Sequence, residues 1–446
     1  MDQPPLRKHM RVSTAHIIVL GFLAAIAVGT VLLMLPLSTQ DGRGAPLLDA
    51  LFTATSATCV TGLIVHDTAT YWSVFGQVVI LLLIQLGGMG VVTVVVALAV
   101  LSRRHMSLRQ RGAIQESLAA PAAANIMPLV GFIVRTALII ELVGALLLAT
   151  VFCTDFGLGQ GLWYGLFHAV SAFCNAGFDL MGVTVPYASL TAYAAQPVVN
   201  LVIAGLIVVG GIGFVTWDDV HSHGLRFKVY RMQTKVILVT TIVLIVLPTV
   251  YFFFVDFASL PLAERFFASL FQAVSPRTAG FNTVDLTGLG SVAVAVVIVL
   301  MLVGGSPGST AGGMKTTTLA ALLSTALSVF SRRGETRFFG RRIGDSTVRS
   351  AVGLAVMYLA LFFVGGCAIS LLEDLPLGTC LFETASAVGT VGLTLGITPT
   401  LGPVSQLILI VLMYLGRVGG LTVLFAALAD HRGEAARYPE ERLAVG

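Results

Sequence analysis

The chain has 446 residues, of which 56% are hydrophobic and 11% charged, and its mean hydropathy is +0.93. Soluble domains carry roughly 25% charged residues, so this composition excludes a soluble globular fold and points to a polytopic membrane protein. The formal net charge of +4 is gathered in short loops, which fits contact with lipid headgroups and offers no footprint for nucleic acid.

In chain order, eight apolar runs reach the about 20 residues that a spanning helix needs. They begin near His16, Tyr71, Asn125, Thr191, Lys235, Gly288, Ser350 and Gly402. The first, Ile17 to Leu35, is too long for a signal-peptide core and has no small-residue cleavage site close behind it, so it is expected to be retained. Arg7, Lys8 and Arg11 precede run one, and Arg103, Arg104, Arg109 and Arg111 follow run two. Arg226, Lys228, Arg231 and Lys235 follow run four, six arginines from Arg332 to Arg349 follow run six, and Arg432, Arg437 and Arg442 follow run eight. That side holds 20 of the 26 Lys and Arg, against Arg43, Arg265 and Arg277 on the other. The positive-inside rule then puts both termini in the cytosol, as in a multi-pass protein of a prokaryotic cytoplasmic membrane. Eleven of the 22 acids lie outside, among them Asp67, Asp155, Asp179, Asp285, Glu373, Asp374 and Glu383. Most read as ordinary loop solvation, though together they would raise the local cation concentration at a pore mouth.

Four stretches between these runs repeat one pattern: LFTATSATCVTGL from Leu51, LFHAVSAFCNAGF from Leu166, LFQAVSPRTAGF from Leu270 and LFETASAVGTVGL from Leu381. Each has Leu-Phe, then Ser, then a Gly followed by Leu or Phe, and Leu and Gly are 11, 11, 10 and 11 residues apart. The chain therefore divides into a cytosolic N-terminus (1–15), repeat one with its cytosolic loop (16–124), repeat two with its loop (125–234), repeat three (235–349), repeat four (350–430) and a cytosolic tail (431–446). The expected fold is all-α, with four tandem span–pore-loop–span repeats, eight transmembrane helices in all, around a pseudo-four-fold pore.

Each loop opens with about ten helix-compatible residues, after Asp49, Gly161–Leu162, Glu264 and Gly378, too short to span. Such re-entrant half-helices are tolerated at membrane depth where protein or water covers their backbone, and their partly negative C-terminal ends would favour a cation at the centre. The chain then turns extended and small: Cys59-Val60-Thr61-Gly62, Cys174-Asn175-Ala176-Gly177, Arg277-Thr278-Ala279-Gly280 and Gly389-Thr390-Val391-Gly392. Carbonyls near Val60–Thr61, Asn175–Ala176, Thr278–Ala279 and Thr390–Val391 are expected to replace the hydration shell of a cation, the device that potassium-channel filters use. Gly62, Gly177, Gly280 and Gly392 would set the backbone. One such loop would read as a helix-capping turn; four in register on one side do not.

The following spans carry Gly87-Gly88-Met89-Gly90, Gly210-Gly211-Ile212-Gly213 and Gly416-Arg417-Val418-Gly419-Gly420. Close helix packing is the expected role of these glycines in repeats one and two. In repeat three the chain reads GGSPGSTAGGMKTTT from Gly304. Pro307 and five glycines break any helix there, and the segment 304–318 is placed below the filter as a gate comprising Gly304, Gly305, Ser306, Pro307, Gly308, Ser309, Thr310, Gly312, Gly313 and Lys315. A plain kinked helix is the weaker reading. Arg417 is read as a charge in the middle of span eight, where insertion costs at least ~2.5–3.5 kcal/mol and demands a partner. Its neighbour Gly416 lies 24 residues after Gly392, as Gly304 lies 24 after Gly280, so Arg417 is expected to bind the gate segment and raise a positive barrier. Lys315 is expected either to do likewise or to snorkel to the cytosolic surface. Arg135 and Glu141 in span three are at a poor spacing for an ion pair and read as structural.

The five cysteines form no C-x-x-C pair, and the histidines no metal-ligand spacing. No phosphate-binding loop, dinucleotide fingerprint or nucleophile elbow is present, so no enzymatic activity, catalytic residue or organic cofactor is expected.

The stretches LFTATSATCVTGL, QAVSPRTAGFNT, GGSPGSTAGGMKTT and MYLGRVGGLT resemble the pore loops, intramembrane loop and last span of the Trk/Ktr/HKT superfamily of potassium transporters. The resemblance covers essentially the whole chain, and without two extra leading spans it is most similar to the KtrB-type membrane subunit. It implies K⁺ uptake, with Na⁺ dependence left open, by a membrane homodimer regulated by a cytosolic nucleotide-binding ring of RCK domains (KtrA-like). Cys59 and Cys174, beside the filter, depart from the family's pattern. A secondary transporter of another monovalent cation or small solute is the alternative; its broken helices would belong to inverted repeats, whereas these repeats run in parallel. A non-transporting scaffold would explain neither the loops nor Arg417.

Overall fold

The computed structural model describes residues 14–90, 126–332 and 334–419. Helix α1 (Thr14–Leu33) leads to the first half-helix α2 (Leu47–Thr58), a short α3 (Thr68–Tyr71) and α4 (Val74–Met89). Repeat two comprises α5 (Ile126–Phe156), half-helix α6 (Leu158–Phe173), α7 (Pro197–Gly211) and α8 (Phe214–His223). Repeat three comprises α9 (Met232–Phe254), half-helix α10 (Leu262–Val274), α11 (Ser291–Leu302) and α12 (Thr316–Phe330). A two-stranded hairpin, β1 (Arg337–Phe338) with β2 (Arg341–Arg342), comes next, then α13 (Asp345–Glu373), half-helix α14 (Leu377–Gly389) and α15 (Pro403–Val418). Repeats three and four thus begin in helices that start at Met232 and Asp345, a few residues ahead of the expected boundaries.

Every repeat pairs a long helix with a short one. The first helices, α1, α5, α9 and α13, have 20, 31, 23 and 29 residues, and these four are long and apolar enough to cross a membrane. The second, α4, α7, α11 and α15, have only 16, 15, 12 and 16 residues. At 1.5 Å per residue the short helices fall below the about 30 Å hydrocarbon core. Backbone geometry ends three of them: Gly90, Gly213 and Gly419 adopt φ of 82°, 95° and 86°, where side chains are disfavoured. The glycines of repeat two therefore do more than pack helices, because the chain bends by 95° between α7 and α8. Residues 91–125, and those from Gly420 onwards, lie outside the described residues.

Three of the four half-helices start where proline forbids continuing backwards: Pro46, Pro261 and Pro376 stand immediately before α2, α10 and α14, each with φ −55°, while Gly157 precedes α6. The repeated phenylalanines anchor them, since Phe52, Phe167, Phe271 and Phe382 are at most 1% exposed. Each half-helix packs between the two helices of its own repeat or against its first one. Each short helix also packs on the next repeat's half-helix: α4 on α6, α7 on α10, α11 on α14, and α15 back on α2. The cycle closes, which gives one chain its pseudo-four-fold axis. Outside it, α1, α5, α9 and α13 present Leu20, Leu142, Leu247 and Val364, each more than half exposed, the surface a bilayer covers.

Candidate functional site

After each half-helix the chain enters a left-handed residue, at Val60, Asn175, Thr278 and Thr390, with φ between 50° and 69°. Two residues later come Gly62, Gly177, Gly280 and Gly392, with φ between 69° and 95°. The first residues of the segments are less extended than the sequence suggests. Cys59 and Cys174 cap their helices in right-handed geometry, and Gly389 is still helical.

The repeated serine fixes each segment. The Ser56 carbonyl accepts from the Thr61 amide at 2.8 Å and its hydroxyl from the Gly62 amide at 3.1 Å. Ser386 makes the same pair with Val391 (2.8 Å) and Gly392 (2.9 Å). In the other two loops the serine carbonyls accept from Ala176 (2.8 Å) and Ala279 (2.9 Å). There the hydroxyls of Ser171 and Ser275 donate instead to the carbonyls of Phe178 and Phe281. With their amides held back against the helix, these strands leave carbonyls for one another's company. A Cβ on Gly62 would overlap the Ala176 oxygen, and one on Gly177 would stand 2.6 Å from the Ala279 oxygen. One on Gly280 would overlap the Val391 oxygen, and one on Gly392 the Thr61 oxygen. Each glycine thus faces the carbonyl that precedes the next loop's glycine, and the four close a ring.

Outside the ring lies a cavity of about 380 Å³ lined by all four glycines together with Asp179 and Asp285. Burial pushes the Asp179 carboxyl up to about 7, opposed by the Met181 amide. The Thr287 hydroxyl and amide hold Asp285 below the usual carboxylate range. The other outer acids include several that loop solvation does not describe. Buried Asp67 caps α3, accepting from the amides of Ala69 (3.1 Å) and Thr70 (3.0 Å), and also accepts from the Tyr187 amide at 3.0 Å. Glu383 is fully buried and accepts from the hydroxyls of Thr394 (2.8 Å) and Thr398.

Beneath the ring, the chain between α11 and α12 is non-helical from Val303 to Lys315, so the broken segment ends three residues before the expected 318. Its stems are joined by Gly304 N donating to Met314 O (2.8 Å) and Thr316 N to Gly305 O (3.0 Å). Neighbouring repeats supply further partners. Ser306 N donates to Gly211 O (2.9 Å), Gly308 O accepts from Phe214 N (2.7 Å), and Gly313 N donates to Gly416 O (3.3 Å). Non-helical backbone at this depth requires such partners. Pro307, Gly308 and Ser309, with Lys315 and Arg417, line a second cavity of about 270 Å³.

Arg417 stands in the last turn of α15 rather than mid-helix. A cation at that end complements the helix dipole. Its guanidinium donates to the main-chain oxygens of Thr310, Gly87 and Gly88. The Lys315 ammonium folds back onto Ala311 O (2.8 Å) and Gly312 O (3.3 Å) rather than reaching for the cytosolic surface. Buried Glu141 is met by the Gln85 amide at 3.0 Å, not by Arg135. The four serines are the site residues whose role sequence reasoning missed; their signal is the constant step of six, six, five and six residues to the glycine.

Comparison with known proteins agrees with this architecture. A family model described as "TrkH: Cation transport protein" matches residues 7–435. The chain is 37% identical to the potassium/sodium uptake protein NtpJ of Enterococcus hirae, covering 99% of both chains. It is 38% identical to the Ktr system potassium uptake protein B of Bacillus subtilis, covering 98% of both. The crystal structure of the potassium transporter TrkH from Vibrio parahaemolyticus superposes with a TM-score of 0.72 at 19% identity, over 94% of this chain and 86% of that one, a likeness of fold. The chain is therefore a multi-pass membrane protein that belongs to the TrkH family of cation transport proteins.

Proposed function

We propose that this chain takes up K⁺ through the central pathway, with the ring of Thr61, Ala176, Ala279 and Val391 carbonyls as its selectivity filter. The observation that carries this reading is the closed cycle in which each glycine faces the next loop's carbonyl. Four inward oxygens replace water around a cation of fitting size, and the half-helix C-termini add a favourable field. Val60, Asn175, Thr278 and Thr390 bend the backbone into place just inside the ring. The buried segment Val303–Lys315 is the gate, with Arg417 as its tether and as a positive barrier to cations. The names of the uptake-protein relatives support K⁺ as the cargo, and the name of the Enterococcus protein keeps Na⁺ in view as a second or coupled ion.

The basic residues around Arg226–Lys235 and Arg332–Arg342 suit a cytosolic face with both termini on that side, docking an RCK-domain nucleotide-binding ring below a homodimer. The name of the Bacillus Ktr system protein favours such a partner. The stretches Arg103–Arg111 and the tail after Asp430, expected to contribute to the same docking, lie outside the described residues.

Radiolabelled Rb⁺ uptake into proteoliposomes, with and without Na⁺ and beside labelled amino acids, tests the reading. Saturable Rb⁺ entry that K⁺ displaces is expected; amino-acid entry without Rb⁺ entry would favour a solute transporter instead.

A further inference from the structure

The four positions just inside the ring differ in chemistry: Val60, Asn175, Thr278 and Thr390. Asn175, 1% exposed, is the one carrying an amide. Its Oδ1 accepts from the Thr310 hydroxyl at 3.0 Å, across 135 residues of sequence, and Thr310 lies at the buried middle of the gate segment. Its Nδ2 lies 3.4 Å from both the Arg277 carbonyl and the Thr278 hydroxyl in the next loop. Gly210 makes room for this contact: a Cβ there would stand 2.8 Å from the Thr310 hydroxyl and 2.9 Å from Asn175 Oδ1.

We propose that Asn175 is a positioning residue that ties the carbonyl ring to the gate segment, so that moving the segment alters which ions the ring accepts. This rests on the filter and gate reading above and adds the coupling between them. Thr310 is held on three sides: its carbonyl by Arg417, its amide by Gly210 O at 3.3 Å, and its hydroxyl by Asn175. When the segment lifts, Asn175 has two courses. It follows Thr310 and turns the peptide that leads into Ala176, or it stays with a buried amide oxygen unpaired, which is costly. The first course shifts the backbone that carries the Ala176 carbonyl, one of the four in the ring; the second penalises the lifted state, so by either course ring and segment are coupled. Through its Nδ2 the disturbance reaches the third loop as well.

The test removes the hydroxyl and leaves the backbone carbonyl for Arg417. Thr310→Val, and Thr310→Ala should the first fail to fold, are compared with Thr310→Ser in proteoliposomes, reading Rb⁺ flux and Rb⁺ over Na⁺ preference together. Loss of the hydroxyl should raise flux and lower the preference by roughly fivefold or more, and Thr310→Ser should restore the wild-type preference. A rise in flux with unchanged preference would overturn the coupling while leaving gate and filter standing. No change in either quantity, or the same fall with Thr310→Ser, would overturn it too. Gly280→Ser, measured alongside, separates this from failure of the filter reading, which would appear as unchanged preference in that variant.

Discussion

The guanidinium of Arg417, in the last turn of α15, donates to the main-chain oxygen of Thr310 in the broken segment of repeat three, and its second nitrogen holds the end of α4 through Gly87 and Gly88. One side chain of the fourth repeat therefore clamps elements of the first and third beneath the ring.

Arg417→Gln or Arg417→Ala removes that clamp and a positive charge from the proposed pathway, so K⁺ flux should rise severalfold. Deleting Gly312 through Lys315 should raise it too, by removing an obstruction. Because both changes act on one element, their combined effect should be less than additive. Rb⁺ flux in purified, folded variants reads this, and wild-type flux in both would return the segment to a packing role.

Replacing one ring glycine by Ser puts a side chain against the neighbouring carbonyl and strains a positive φ. The preference for K⁺ over Na⁺ should fall by about tenfold, a ~1.4 kcal/mol change, at Gly62, Gly177, Gly280 and Gly392 alike. Competition of Na⁺ against Rb⁺ uptake checks it; four variants with unchanged preference would remove the filter assignment.

Ser386→Ala leaves the Gly392 amide without its 2.9 Å acceptor inside the protein. An orphaned buried donor costs ~1–3 kcal/mol, so the purified protein should melt earlier and discriminate ions less well. Thermal unfolding in detergent, paired with ion competition, separates this from a cavity effect, since Ser386→Thr keeps the hydroxyl and should retain discrimination.

The raised Asp179 carboxyl gives the outer cavity a charge that protonation removes as external pH falls through about 7. Less negative charge at the mouth means fewer cations gathered there. Uptake at low external K⁺ should therefore decline from mildly alkaline to mildly acid medium, and Asp179→Asn should flatten the curve. An unaltered profile in that variant would assign the pH dependence to another group.

Much of this architecture is legible in the sequence because repetition carries it. The Leu-Phe, Ser and Gly spacing locates each half-helix and each ring glycine, and Arg417 stands out as a charge inside an apolar run. The short helices are not legible: runs beginning near Tyr71, Thr191, Gly288 and Gly402 have the hydropathy of full spans, but the dihedrals of Gly90, Gly213 and Gly419 end three of the helices early. Nor could hydropathy tell that Asp67 and Glu383 would be buried, because their partners, Tyr187 in the next repeat and Thr394 and Thr398 in the loop after α14, are brought to them by the fold. The Asn175–Thr310 bond joins positions 135 residues apart and leaves no mark on spacing.

The most direct test of the central claim is anomalous diffraction from crystals of the protein grown in Rb⁺. The account predicts an Rb⁺ peak on the axis among the carbonyls of Thr61, Ala176, Ala279 and Val391, lost on exchange into Na⁺ alone. Rb⁺ bound elsewhere in the molecule, with no peak in that ring, would contradict it.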